Sequence, residues 1–210
     1  MNIDIFVANA SHAVYAQQIC DLVYISALER GTGIAKRSPE YIMQKMIDNK
    51  AVIAFVDGNF AGFSYIETWS HNRFVANSGL IIAHQYRGIG LARKIKSKIF
   101  SLSRKIYPDA KIFSITTGLA VMKINTELGF RPVTFSELTD DKEFWKGCQG
   151  CKNFPILEQN NYKMCICTAL LYEPKSVKKS IVNNPIGKMG KRYVFNPLLK
   201  INSIISFKKR

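Results

Sequence analysis

A strand, a glycine-rich turn and a long amphipathic helix follow one another near the middle of this chain. The turn is Gln85-Tyr86-Arg87-Gly88-Ile89-Gly90, and the apolar run 78–83 before it reads as a buried strand. After the turn, apolar residues recur every three or four positions, which predicts one helix face. They are Leu91, Ile95, Ile99, Leu102 and Ile106. A helix that begins in such a turn presents free N–H groups and the positive end of its dipole, which together bind phosphate.

Two known phosphate-binding motifs can be compared with this turn, and neither fits. The dinucleotide fingerprint needs a third glycine, and that place holds Ala92 or a later residue at a different spacing. The P-loop ends in Gly-Lys-Ser/Thr, whereas Leu91 follows Gly90. Because many strand-to-helix turns contain glycine and bind no ligand, a turn without a binding function is the alternative. The pattern that does fit is Gln-x-x-Gly-x-Gly, by which the chain resembles the GNAT superfamily of acyl-CoA N-acyltransferases.

The GNAT resemblance implies a binding site for acetyl-CoA or another acyl-CoA, such as succinyl-CoA. In that family the turn holds the pyrophosphate of coenzyme A, and the strand before it pairs with the pantetheine arm. The residues implied are Leu80, Ile81, Ile82, Gln85, Arg87, Gly88, Ile89, Gly90, Leu91 and Ala92. Strand N–H groups around Leu80 and Ile81 would polarise the thioester carbonyl.

Composition and charge narrow the class of protein. The hydrophobic share of 47% is ordinary for a globular protein, and no stretch approaches the roughly 20 apolar residues of a membrane span. The N-terminus lacks the features of a signal peptide, so a cytoplasmic protein is expected. Of the net charge of +15, residues 174–210 supply ten Lys/Arg and no Asp/Glu. This stretch is expected to be a solvated extension, because it lacks a nucleic-acid-binding motif and an aromatic series for base stacking.

The order of sequence patterns predicts an α/β protein with an antiparallel first half. A strand (3–7) is followed by helices that begin after Ser11 and Ser38, a hairpin around Asp57-Gly58-Asn59, and then strands and helices in alternation to residue 135. The expected architecture is a GNAT fold, a mixed central sheet flanked by helices. The expected divisions are an acyltransferase domain (1–140), a cysteine-rich, zinc-knuckle-like segment packed on it (141–173) and a basic, weakly structured extension (174–210).

Two further resemblances indicate the acceptor. The run Gly33 to Ile42 is similar to the acceptor-side loop of N-acetylglutamate synthases, and the runs 114–117 and 128–133 are similar to their Leu-Thr-Thr strand and Gly-Phe-x-Pro-Val turn. A guanidinium grips a carboxylate with two parallel, charge-assisted hydrogen bonds. Arg37 is therefore the first choice for binding an acidic amino acid, with Lys36 and Ser38 beside it. A solvated basic loop is the alternative.

The catalytic groups are harder to assign from the sequence. Glu67, near the end of its strand, is a candidate general base, with an exposed edge carboxylate as the alternative. Many GNAT enzymes carry a tyrosine acid where this chain has Asn125. The resemblance to the glutamate synthases implies a strand hydroxyl instead, at Thr116 or Thr117. The glutamate that serves as base in that family would fall near Ala76, so a water held by Asn77 or Ser78 is the other option.

Four cysteines form a Cys-x-x-Cys and a Cys-x-Cys pattern, namely Cys148, Cys151, Cys165 and Cys167. Clustered thiols in a cytoplasmic protein suggest a metal site, with structural Zn²⁺ held by four thiolates as the expected form. Compact N-acetylglutamate synthases show a similar Trp-x-x-Cys-x-x-Cys segment. A redox pair, an iron–sulfur cluster and partly buried thiols are the alternatives, and Cys20 is expected to pack in the core.

The leading hypothesis is an N-acyltransferase that moves an acetyl or other short acyl group from CoA to the α-amine of glutamate or a similar acidic amino acid. This would be an early step of arginine biosynthesis. One alternative is a GNAT enzyme that acts on a protein lysine or a polyamine. The other is a zinc-ribbon protein with a degenerate GNAT core, whose basic tail binds nucleic acid. A homodimer is a further arrangement that the sequence leaves open.

Overall fold

The computed structural model describes residues 1–30 and 36–174. Within them, seven strands form one mixed sheet in the order β1-β2-β3-β4-β5-β7-β6. The strands are β1 (Ile3–Val7), β2 (Ala51–Val56), β3 (Asn59–Trp69), β4 (Phe74–Ile82), β5 (Lys111–Thr116), β6 (Arg131–Val133) and β7 (Thr168–Tyr172). All neighbours pair antiparallel except β4 and β5, which are parallel. The predicted α/β class with a mixed central sheet is confirmed.

Helices cover both faces of this sheet. They are α1 (Ala16–Arg30), α2 (Pro39–Ile47), α3 (Leu91–Ile106), α4 (Leu119–Glu127), α5 (Lys142–Lys146) and α6 (Phe154–Gln159). Side chains alternate across a strand, so a strand that is buried throughout must have a helical layer on each side. In β2, Val52 and Ala54 pack with the α3 side, whereas Ile53 and Phe55 pack with α1 and α2. No helix of the described residues is long and apolar enough to cross a membrane.

The sheet opens between β4 and β5, and this gap positions the functional site. The parallel pairing covers only Phe74 to Ala76 on β4 and Lys111 to Phe113 on β5. Beyond Ala76 the two strands diverge. On its other side, β4 carries a bulge, because Tyr65 pairs with Ser78 but Phe63 pairs with Ile81. A bulge of this kind bends its strand and redirects backbone groups.

Local differences from the sequence prediction have clear causes. The first helix begins as a 3₁₀ turn, Ala10–Tyr15, whose cap is Asn9 and not Ser11, because the Asn9 side chain accepts from the Ser11 N–H. The second helix begins as predicted, with Ser38 as cap and Pro39 at its first position. In α3 the buried face includes Lys96 and Ser103, while Ile106 is exposed. The face predicted through Leu102 and Ile106 is therefore rotated about the helix axis.

The cysteine-rich segment is part of the sheet and not only an element packed on it. Its last portion forms β7, which lies between β5 and β6 and pairs with both. Trp145 of α5 is buried against Phe135, and its indole N–H donates to the Thr139 carbonyl at 2.9 Å. The predicted helix end at Gly31-Thr32-Gly33 and the basic extension after Pro174 lie outside the described residues.

Candidate functional site

A cavity of about 780 Å³ opens on the face of the sheet that carries α1 and α2. Residues of the loop before α2, of β3, β4 and β5, and of the cysteine-rich segment line it. From the predicted set, the lining residues are Lys36, Arg37, Ser38, Glu67, Ser78, Leu80, Ile81, Thr116, Thr117, Cys148, Cys151, Cys165 and Cys167. The fold thus brings most of the predicted acceptor and catalytic residues to one cavity.

Arg37 is fixed at the wall of this cavity by aromatic neighbours. Its Nε donates to Tyr65 Oη at 3.0 Å, and its Nη1 donates to the Lys36 carbonyl at 3.0 Å. The guanidinium also lies over the Tyr41 ring, 5.4 Å from the centroid, within the range of a cation–π contact. Two of its five N–H groups are used by these bonds, so a planar donor edge is available for a carboxylate.

Glu67 follows Tyr65 by two positions on β3, so both side chains are on the cavity face. Lys45 Nζ on α2 lies 2.9 Å from its Oε2. Its Oε1 is buried without a hydrogen-bond partner among the described residues. Burial raises the pKa of Glu67 to about 7, although the charge of Arg37 lowers it. A carboxylate with this pKa is well matched to accept a proton near neutral pH.

The bulge in β4 exposes backbone beside these side chains. Gly79 has φ +62°, and both Gly79 and Leu80 line the cavity. A Cβ at Gly79 would overlap the Tyr65 ring, so the missing side chain is what lets Tyr65 lie against the strand. Ser64 Oγ donates to the Ser78 carbonyl at 2.9 Å and supports the bulge from β3.

We expect Gly79→Ala to lower the free energy of unfolding by about 1–3 kcal/mol more than Gly58→Ala does, the usual cost of overpacking. Gly58 is the matched control because it also has a positive φ but has open space where a Cβ would be placed. Urea denaturation of both variants measures the difference. Equal losses in the two variants would show that the Tyr65 contact does not matter.

The predicted phosphate turn has the backbone that such a site requires. Gly88 and Gly90 have φ +82° and +79°, and an added Cβ at either would meet open space, so the conformation and not crowding calls for glycine. Gly90 caps α3 without a side-chain hydrogen bond, and the first turn of α3 contains no acidic residue. The first N–H groups of α3 are therefore available to an anion.

Arg87, one of the residues predicted to bind coenzyme A, contacts α1 in this structure. Its guanidinium lies 3.4 Å from Glu29 and donates to Ser26 Oγ at 3.3 Å, so it ties the turn to α1. Other residues of this predicted set do not line the cavity. Ile82 ends β4, Gln85 and Ile89 lie in the turn, and Leu91 and Ala92 begin α3.

The candidate catalytic residues fall on two sides of β4. Ser78 lines the cavity, whereas the Asn77 side chain points toward α3, where its Nδ2 donates to Ser103 Oγ at 2.7 Å. On β5, Thr116 Oγ1 accepts from the Gly118 N–H at 3.0 Å and stays at the cavity wall. Asn125 is fully buried, and its side-chain amide has no hydrogen-bond partner among the described residues.

The four cysteines form one wall of the same cavity. All are free and half-buried. Burial, with smaller contributions from the neighbouring thiols, raises the pKa of the Cys148 thiol to about 11 and that of the Cys167 thiol to about 12. Four thiols fit the donor chemistry of zinc. In residues 1–30 and 36–174, no three His, Cys, Asp or Glu side chains form a group that could hold a metal ion in the arrangement that the structure shows.

Tyr65, Tyr41 and Lys96 are polar lining residues that were not predicted from the sequence. Tyr65 and Tyr41 pack edge to face, with centroids 5.9 Å apart, and hold Arg37 between them. The alternation Tyr65-x-Glu67 on one strand face could have indicated the first. Lys96 could have been found from the stripe Ala92, Lys96, Ile99 and Ser103, which recurs at helical spacing on α3.

The chain matches no protein-family model and no curated protein, but it matches solved structures. N-acetylglutamate synthase from Neisseria gonorrhoeae, complexed with coenzyme A and N-acetyl-glutamate, is 18% identical, with a TM-score of 0.58. That match covers 83% of this chain and only 36% of the gonococcal one. An acetyltransferase of the GNAT family from Staphylococcus aureus Mu50 is 14% identical, with a TM-score of 0.59, over 83% of this chain and 100% of that one.

A third match is the diaminobutyrate acetyltransferase EctA from Paenibacillus lautus, in complex with L-2,4-diaminobutyric acid and coenzyme A. It is 11% identical, with a TM-score of 0.55, over 82% of this chain and 95% of that one. At such identities the likeness establishes the fold. The chain has the fold of GNAT acetyltransferases, and the resemblance predicted from the turn at residues 85–90 is confirmed.

Proposed function

We propose that the protein is an acyl-CoA-dependent N-acyltransferase that transfers an acetyl or other short acyl group to the α-amine of glutamate or a similar acidic amino acid. One observation carries the proposal: a single cavity places the Arg37 guanidinium and the buried Glu67 carboxylate beside the bulged strand β4. A carboxylate-binding group, a base and exposed backbone N–H groups are the parts that acyl transfer to an acidic amino acid needs.

The glycine turn and the β4–β5 gap support the acyl-CoA side of this proposal. The uncapped start of α3 would bind the pyrophosphate, and the diverging strands leave room for the pantetheine arm along Leu80 and Ile81. Solved structures with the same fold contain coenzyme A or acetyl-CoA. The N–H groups at the bulge would polarise the thioester carbonyl.

Charge supports an acidic acceptor over a cationic one. Arg37 and Lys36 line the cavity, and Lys45 lies next to Glu67. A polyamine or a lysine side chain would meet these cations, whereas a dicarboxylic amino acid would pair with them. The gonococcal structure holds N-acetyl-glutamate, which agrees with this choice. On this proposal the reaction is an early step of arginine biosynthesis.

Each residue then has a defined task. Arg37, with Lys36 and Ser38, would bind the acceptor carboxylates. Glu67 would take a proton from the α-ammonium, so that the neutral amine attacks the thioester carbon. The hydroxyl groups of Ser78, Thr116 or Thr117 would hold a water or the developing charge at the other end of the cavity.

Release of free CoA thiol tests the proposal. Acetyl-CoA and succinyl-CoA would each be incubated with L-glutamate, L-aspartate, L-2,4-diaminobutyrate, spermidine and a lysine peptide. We expect turnover with an acidic amino acid and at least about tenfold lower kcat/KM with the cationic acceptors. Turnover with spermidine or the peptide alone would favour the alternative substrate class, and no turnover with any acidic amino acid would overturn the proposal.

Four sequence-based hypotheses stay predictions. Zinc at the four cysteines is tested by the metal content of the purified protein, where one zinc per chain would support it and none would remove it. Nucleic-acid binding by the basic extension is tested by salt-dependent retention on RNA or DNA. The cytoplasmic location and the homodimer need direct measurement.

A further inference from the structure

Lys96 on α3 is the most deeply buried charged residue that lines the cavity, with 1% of its surface exposed. It lines the cavity from the α3 side, together with Ala76 and Ser78 of β4 and with Ser114 of β5. These strand residues flank the point where β4 and β5 stop pairing. The amine therefore lies on the α3 side of the sheet, next to the gap between β4 and β5.

The surroundings of the Lys96 amine are nearly apolar. Nζ donates to the Asn77 carbonyl at 3.4 Å and lies 5.8 Å from the centre of the Phe130 ring. Asn77 is the first β4 residue beyond the last β4–β5 pair. Burial lowers the pKa of Lys96 to about 7, and among the described residues no charged side chain contributes to this shift.

Such an arrangement weakens the folded state. A buried amine without a carboxylate partner must either lose its proton or remain charged in an apolar interior, and both alternatives cost free energy. An unbranched apolar side chain of similar length would fill the same volume without this penalty. The placement of a lysine there is explained if the amine acts on a molecule in the cavity.

We propose that Lys96 is a catalytic residue that donates a proton to the sulfur of CoA as the thioester bond breaks. The inference rests on the proposed function, because it needs an acyl thioester in the β4–β5 gap. Glu67 and Lys96 then work from opposite sides of the sheet. The carboxylate serves the acceptor amine, and the lysine serves the leaving group.

The protons and electrons balance as follows. The α-ammonium gives one proton to Glu67, and the neutral amine attacks the thioester carbon and forms the C–N bond. The C–S bond breaks, its electron pair goes to sulfur, and a proton passes from the Lys96 ammonium to that sulfur to give the free thiol. The attacking nitrogen loses its second proton to water. When the products leave, Glu67 releases its proton to water and Lys96 regains one, so each turnover releases one proton.

Lys96→Met tests this role because methionine keeps the length and removes the proton. With acetyl-CoA and L-glutamate, we expect kcat to fall about 100-fold, within the range for general acid catalysis, while KM for acetyl-CoA changes less than about threefold. The decline of the wild-type kcat above pH 7 should disappear in the variant. At the same time Tm should rise by at least about 3 °C, the shift for 1 kcal/mol in a domain of this size.

Lys98→Met is the matched control, because Lys98 is exposed on the same helix and should leave kcat and Tm unchanged. Lys96→Leu repeats the test with a second apolar residue. An unchanged kcat in a folded Lys96 variant, or a Tm below that of the wild type in both variants, would overturn the inference by showing a spectator or a structural lysine. Failure of the wild-type protein to release thiol with any acceptor would overturn the proposed function instead.

Discussion

Replacing Glu67 with glutamine is expected to lower kcat by about 10²- to 10⁴-fold, the usual contribution of a general base. Glutamine has the same shape and can still accept from Lys45, but it cannot take the proton of the α-ammonium. Because burial raises the pKa of Glu67 to about 7 and the base must be ionised, the wild-type kcat should rise as the pH increases toward 7, on the acidic side of the decline assigned to Lys96. This rise should be absent in Glu67→Gln.

Initial rates of thiol release between pH 5.5 and 9 measure both effects. Glu158→Gln is the control, because this carboxylate is exposed and lies outside the cavity lining. Thermal melts show whether the Glu67→Gln variant remains folded. If Glu67→Gln kept more than a third of the wild-type kcat, a water held by Ser78 would become the better candidate for the base.

Replacing Arg37 with alanine is expected to lower kcat/KM for L-glutamate by about 10- to 150-fold. A hydrogen-bonded ion pair contributes about 1.5–3 kcal/mol, and each 1.4 kcal/mol corresponds to a factor of ten. Most of the loss should be in KM for the amino acid, because the guanidinium binds the acceptor and not the reacting atoms. KM for acetyl-CoA should stay the same.

Arg37→Lys separates charge from geometry. Lysine keeps the positive charge but loses the planar pair of donors and the bond to Tyr65 Oη. We therefore expect kcat/KM for L-glutamate to lie between the values of the wild type and the alanine variant. Initial rates over a range of L-glutamate concentrations give these values. An equal loss for L-glutamate and for an uncharged amino acid such as L-alanine would show that Arg37 maintains the cavity and does not select the acceptor.

Patterns within single elements allowed most of the fold to be predicted. The Asp57-Gly58 turn and the Ser38-Pro39 helix start follow from local backbone preferences, and the structure has both. The glycine turn before α3 is also local, because positive φ at Gly88 and Gly90 is a property of the residue type. Arg37 could be proposed from the resemblance to the acceptor-side loop, and Glu67 from its place near the end of a strand.

What could not be predicted depends on tertiary contacts. The sequence analysis assigned no role to Lys96, since lysine is rarely buried, whereas in the structure Lys96 and Ser103 lie on the buried face of α3. The raised pKa of Glu67 needs the packing of α2 on β3, which no local pattern specifies. The spacing of the four cysteines suggests a metal site, yet spacing does not determine whether thiols converge, and among the described residues no group of three candidate ligands is found.

The position of β7 also has a consequence for how the chain folds during synthesis. β6 leaves the ribosome before β7, but among the described strands β6 pairs with β7 alone, so it cannot join the sheet until residues 168–172 have been made. Until then the edge of β5 is unpaired and open to other strands. The cavity, whose wall includes β5 and the cysteine-rich segment, is therefore completed among the last steps of folding. On the proposed function, a nascent chain that stops short of Thr168 should be inactive and prone to aggregation.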